Sequence, residues 1–197
     1  MLLPQQRERL PIDDVLPELS RALDRGRSAV VTAPPGAGKS TVVPLALADE
    51  PWAAGGRIVL LEPRRIAARG TARRMAALLG ERVGETVGYR TRGDTRVGAK
   101  TRIEVVTEGI LTRMLQADPS LEGVAAVLFD EFHERSVHAD LGLALALEAR
   151  ALFREDLRIV VMSATIDAER TAALLGGAAV VSAQGRMFPV ETFYARQ

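Results

Sequence analysis

The sequence predicts an α/β fold: a mostly parallel, doubly wound sheet with helices on both faces. Three observations predict it. Apolar runs of strand type alternate with helix-period segments along the chain. Two of the runs, 28–33 and 124–129, are continuously apolar or nearly so, as strands buried on both faces are. The length, 197 residues, suits one α/β domain and can bury a sizeable core.

The elements follow in order. Residues 12–25 read as an amphipathic helix ending near Gly26. Strand 28–33 leads into helix 39–48, which Pro44 is expected to distort. A loop at 51–56 precedes strand 57–61 and helix 65–79, with Gly80 as its C-cap. Short strands 87–89 and 102–106 flank a polar turn at Gly93 and Asp94. Helix 109–117 stops before Pro119. Strand 124–129, helix 136–150, strand 157–162, helix 168–175 and strand 178–181 complete the alternation. Residues 178–194 read as the closing edge, and no second domain boundary is visible, so 1–197 is taken as one domain.

Composition agrees with a cytoplasmic enzyme domain that touches no membrane. There is no cysteine, which excludes a disulfide framework and thiolate metal ligation. The first ten residues lack a signal-peptide core, and no run approaches the ~20 apolar residues that span a bilayer. Net charge is +1, but 57–102 holds twelve basic residues against four acidic ones. Such a locally basic segment suggests a polyanion track. Arg65, Arg69 and Arg73 share one helix face there; a solvated arginine face is the alternative.

The chemistry is concentrated in two motifs. APPGAGKST at 33–41 follows a strand and opens a helix. Across Pro35, Gly36, Ala37 and Gly38 the backbone can turn its N–H groups toward phosphate oxygens. Lys39 can reach the β- and γ-phosphates, Ser40 offers a hydroxyl to Mg²⁺, and Thr41 continues the helix start. Ala33 stands where G-x-x-x-x-G-K-[ST] has its first glycine. The second motif, DEFH at 130–133, ends an apolar strand. A buried parallel strand delivers its last residues to the ligand edge of the sheet. There Asp130 would hold Mg²⁺ and Glu131 would orient and deprotonate a water; an acidic helix N-terminus is the bland alternative. Together the motifs imply hydrolysis of ATP or another nucleoside triphosphate.

DEFH, continued by Glu134, Arg135 and Ser136, resembles motif II of the DEAH-type superfamily 2 ATP-dependent RNA helicases, with Phe132 in the alanine position. The resemblance is to a bacterial branch that tolerates this variant. EPRRIAA at 62–68 resembles motif Ia, TEGIL at 107–111 motif Ib, and SAT at 163–165 motif III; VGYR at 87–90 and GRMFP at 185–189 also fit. The matches run in the family's order across residues 12 to 194. The resemblance implies the first RecA-like P-loop NTPase domain of a longer helicase. It implies catalytic roles for Lys39, Asp130, Glu131 and His133, with His133 coupling rather than carrying protons. It implies contacts from Arg64, Arg65 and Thr107 to single-stranded RNA, DNA being the other candidate strand. Ser163 and Thr165 would couple the two sites; a polar turn is their alternative. Arg74 aligns with an arginine that stacks on adenine, and helix-surface packing competes with that reading. For Thr107 the competing reading is a plain helix N-cap. His138 fits no metal pair and reads as structural. A second RecA-like domain in cis, with arginine fingers, is expected and is not in these 197 residues. Two further functions stay open: an ATP-switched binding module without processive unwinding, and, more weakly, a metabolic kinase.

Overall fold

The computed structural model describes residues 2–4, 7–164 and 167–185. A 3-10 turn, Pro11–Asp14, precedes helix α1 (Leu16–Gly26), so the single helix expected over 12–25 is divided. Pro17 is the reason. It has no N–H to give and is tolerated in a helix's first turn, so the helix starts one residue before it. Leu19 and Leu23 then seat in the core. The left-handed residue that ends α1 is Arg27 (φ 57°), not Gly26.

Strand β1 (Ser28–Thr32) and helix α2 (Lys39–Leu47) lie within the expected bounds. Helix α2 runs through Pro44, whose ring is buried in the core. Strand β2 (Arg57–Leu61) and helix α3 (Arg65–Leu78) follow. Gly80, at φ +69°, lets Glu81 N–H reach back to Ala76 O at 2.9 Å and closes α3 as a glycine C-cap should. Strand β3 (Val87–Thr91) forms a hairpin with β4 (Asp94–Arg96), a three-residue strand that the pattern did not announce. Strand β5 (Ile103–Val106), helix α4 (Glu108–Ala117), strand β6 (Val124–Phe129), helix α5 (Val137–Leu152), strand β7 (Arg158–Ser163), helix α6 (Ala168–Leu174) and strand β8 (Ala179–Ser182) complete the described chain.

The eight strands form one sheet in the order β4-β3-β5-β2-β6-β7-β1-β8. Among the described residues only the β3–β4 pair is antiparallel. Strand alternation sorts side chains onto two cores. Ala29, Val31, Ile58, Leu60, Val160 and Met162 face α1, α2 and α3. Val30, Val59, Leu61, Val127, Ile159 and Val161 face α4, α5 and α6. The doubly wound arrangement is therefore present as expected. Its consequence is positional. Strands β1, β2, β5, β6 and β7 all end at the same edge, so their following loops meet there.

Candidate nucleotide site

The phosphate loop is shaped by glycine. Gly36 and Gly38 hold φ of +79° and +98°, which L side chains rarely adopt. Gly38 is also crowded: an added Cβ would meet Leu10 Cδ1 at 2.8 Å and Ile12 Cγ2 at 3.0 Å. From outside, Ile12 N–H donates to Ala37 O at 3.1 Å and pins the loop to the N-terminal turn. Gly38→Ala is therefore expected to lose about 1–3 kcal/mol of stability and to weaken ADP binding; thermal melts with and without ADP measure both. Ala33, in place of the usual glycine, is buried at the strand end, and its N–H donates to Ser163 O at 3.1 Å. No left-handed backbone is needed there, so alanine fits.

Lys39 opens α2 and is only 4% exposed. Its Nζ donates to Glu131 Oε1 at 3.1 Å. Asp130, at the end of β6, is 3% exposed. Its Oδ1 accepts the Glu131 N–H at 2.8 Å, while Oδ2 is buried without a hydrogen bond. The Ser40 hydroxyl lies close enough to interact with this carboxylate. Burial pushes the Asp130 carboxyl up, against the pull of Ser40 and Lys39. A buried carboxylate oxygen with an open lone pair, beside a hydroxyl, suits a hard cation such as Mg²⁺. That ion takes one or two protein oxygens and completes its shell with water and phosphate. Among the described residues no group of three or more His, Asp or Glu forms a protein cage for a metal.

Glu131 and Arg135 both sit at φ 50° and bracket a 3-10 turn, Phe132–Glu134. Phe132 anchors that turn. It is buried in the second core, edge-on to Phe129 with ring centroids 6.2 Å apart, and Arg135 lies over its face at 5.9 Å. The aromatic ring in an alanine position is thus a packing feature. His133 Nε2 is 3.4 Å from Glu131 Oε2, and Ala164 N–H reaches His133 Nδ1 at 3.4 Å. These long contacts place His133 between Glu131 and the loop after β7. Ser163 ends β7 and is buried. Thr165 lies outside the described residues, as does most of GRMFP.

The basic segment divides. Arg64 is exposed and pairs with Glu134 at 2.6 Å, which ties the start of α3 to the motif II turn. Arg65 donates to Arg92 O at 2.8 Å, and Arg69 pairs with Asp94 at 2.9 Å. Two of the three arginines on one face of α3 thus hold the β3–β4 hairpin, so that face is not simply solvated, while Arg65 and Arg73 stay exposed. Arg73 and Arg74 are exposed, and no hydrogen bond ties Arg74 to the phosphate loop among the described residues. Thr107 takes the N-cap position of α4, but its hydroxyl does not cap the helix. His138 is exposed in the first turn of α5, and its backbone N–H donates to Ser136 Oγ at 3.1 Å.

Glu62 stands in a recognised motif, yet sequence reasoning gives it no role. It is 3% exposed, follows β2 as Asp130 follows β6, and accepts the Thr71 hydroxyl at 3.0 Å. Burial, then the Asp130 charge, pushes its carboxyl up to about 8. A charged residue directly after four consecutive apolar strand residues, 58–61, is the available signal.

Comparisons with known proteins agree with this geometry. A family model described as DEAD/DEAH box helicase matches residues 14–174. The ATP-dependent RNA helicase HrpB of Escherichia coli is 55% identical over 185 residues, which is 94% of this chain and 23% of that protein. The pre-mRNA-splicing factor ATP-dependent RNA helicase prp22 of Schizosaccharomyces pombe is 35% identical over 99% of this chain and 17% of its own length. A crystal structure of the E. coli DExH-box NTPase HrpB superposes with a TM-score of 0.87 at 53% identity, covering 95% of this chain and 23% of that one. The chain spans about a quarter or less of the length of these relatives. Its sheet is that of a RecA-like helicase domain, and the chain belongs to the DEAD/DEAH box helicase family.

Proposed function

We propose that this chain is the ATP-binding half of an ATP-dependent RNA helicase. The observation that carries the reading is the convergence of Lys39, Asp130 and Glu131, from α2 and the end of β6, on one point beside the phosphate loop. Backbone N–H groups of the loop and Lys39 bind the phosphates. Ser40 and Asp130 hold Mg²⁺, which when bound neutralises charge on the phosphate oxygens. Glu131 accepts a proton from the attacking water. His133 transmits the state of Glu131 to the loop after β7. Ser163 shares that relay, as does Thr165 by family pattern. Arg74 is kept as a candidate adenine contact on that ground alone.

The partner is single-stranded RNA, or DNA in its place, held along the edge formed by Arg64, Arg65 and Thr107. A second RecA-like domain in the same polypeptide completes the site. Arginine fingers are typically worth ~10³–10⁵ in rate, so the 197-residue chain alone should turn over ATP near background. No described helix is long and apolar enough to cross a membrane, and a cytoplasmic location fits the reading. The test is ATP turnover by this chain and by the complete protein, each with and without single-stranded RNA. RNA-stimulated turnover by the complete protein supports the reading; its absence refutes it.

Substitution of Arg64 and Arg65 by alanine probes the RNA edge. On a single strand each neutralised phosphate contributes about −0.7 to the log–log salt slope of affinity, so losing two contacts should flatten it by about 1.4. ADP affinity should stay unchanged. Unaltered RNA affinity in titrations at several salt concentrations would remove this pair from the track.

A further inference from the structure

We propose that Glu62 is a positioning residue that ties Asp130 to helix α3, so that nucleotide occupancy is felt at the RNA edge. This rests on the nucleotide and RNA roles proposed above. The starting point is a cost. Glu62 is 3% exposed and lies beside Asp130, a second buried carboxyl, where β2 and β6 end in register. Burying one ionisable group is unfavourable, and placing two together adds repulsion or requires a shared proton. An aliphatic residue would end β2 more stably, so packing does not explain a carboxyl here.

Its contacts explain it better. The backbone is fixed on both sides: Glu62 N–H donates to Val106 O at 2.9 Å, and Asp130 N–H donates to Leu61 O at 3.0 Å. Leu61 and Phe129 are in register, so Glu62 and Asp130 leave adjacent parallel strands side by side. On its far side Glu62 Oε1 accepts the Thr71 hydroxyl at 3.0 Å. Thr71 lies in the second turn of α3, the helix that Arg64 and Arg65 begin. A path therefore runs from Asp130, whose N–H is bonded to Leu61 O, through the adjoining Glu62 and the Thr71 hydroxyl into α3. Any movement of Asp130 as the site fills or empties presses on Glu62 and is passed to the end of α3 that carries the arginines. A second route, Arg64 to Glu134, joins the same helix end to the motif II turn. The helix is thus held to the nucleotide side at two points, one buried and one exposed.

The experiment measures coupling directly. Affinity of the complete protein for a labelled single-stranded RNA is read by anisotropy, with and without a non-hydrolysable ATP analogue and Mg²⁺. The ratio of the two affinities is the coupling factor, and by linkage it equals the effect of RNA on nucleotide affinity. Thr71→Val keeps the shape and removes the hydroxyl. It should bring the ratio about fivefold closer to one, the factor one hydrogen bond supplies. Each ligand's affinity measured alone should change less than about twofold by the same argument. Thr71→Ser should restore the wild-type ratio. Glu62→Ala should lower it at least as far as Thr71→Val. Glu62→Gln, which can accept from Thr71 and donate to Asp130, should retain it. A merely structural role would lower melting temperature and leave the ratio alone, so melts are run on every variant. If Glu62→Ala does not fold, the Thr71 pair decides. A wild-type ratio in Thr71→Val overturns the proposal. So does a ratio of one in a wild-type protein that binds both ligands. A wild-type protein that binds neither nucleotide nor RNA overturns the proposed function itself, and this inference with it.

Discussion

Lys39→Ala is expected to remove most Mg·ATP affinity, by about a hundredfold or more, while the fold persists. Hydrogen bonds to charged groups contribute about 1.5–3 kcal/mol each, and a lysine facing the β- and γ-phosphates makes more than one. Burial sharpens the effect, because Lys39 is almost wholly removed from water. The substitution also leaves Glu131 without its 3.1 Å partner. Some loss of intrinsic stability is therefore expected, and the comparison must be made between liganded and unliganded forms of each protein. Thermal-shift titration with ADP or ATP separates the two. Stabilisation of the mutant equal to that of the wild type would remove the phosphate loop from nucleotide binding.

The parts of the fold that were legible in the sequence are those where local pattern and tertiary context agree. Runs 57–61 and 124–129 have no polar residue after the first position, and both strands appear with the expected bounds. Gly80 ends α3 because that position takes a left-handed backbone, which glycine adopts without strain. The hairpin strand β4 was not legible. Asp94, Thr95 and Arg96 have no β pattern of their own, and what holds them lies outside the segment: Tyr89 OH, on the paired strand, donates to Asp94 at 2.9 Å, and the more remote Arg69 pairs with the same carboxylate. The same remoteness hid the fate of the arginine stripe. A spacing of four residues shows that Arg65, Arg69 and Arg73 share a face; it does not show what that face meets. The candidate site divides in the same way. Lys39, Asp130 and Glu131 were readable because loop and strand-end geometry are local. Glu62 was not assigned because its role depends on which strand lies beside β2, and sheet order is not written in any single segment. Pro17 divided the first helix through a local rule that the amphipathic pattern had outweighed.

Glu131→Gln is expected to keep nucleotide binding and to lose hydrolysis in the complete protein, by about 10²–10⁴ in rate, the range supplied by a positioned general base. An amide cannot accept the proton of the attacking water, yet it occupies nearly the same volume, so the turn bracketed by Glu131 and Arg135 should keep its shape. Glu131 also carries the negative partner of Lys39 at 3.1 Å, an ion pair that phosphate must displace. The substituted amide has no charge to offer, so Lys39 is freer to meet the nucleotide. Affinity for Mg·ATP should therefore rise, or at the least not fall, while turnover collapses. Asp130→Asn should differ in kind: it weakens the buried oxygen set suited to the metal, so its defect should appear in Mg²⁺-dependent binding before any chemistry. Measuring ADP affinity with and without Mg²⁺, alongside single-turnover hydrolysis, distinguishes the two carboxylates. Normal hydrolysis by Glu131→Gln would show that another group takes the proton, and an equal binding loss in both variants would show that the pair acts only through charge.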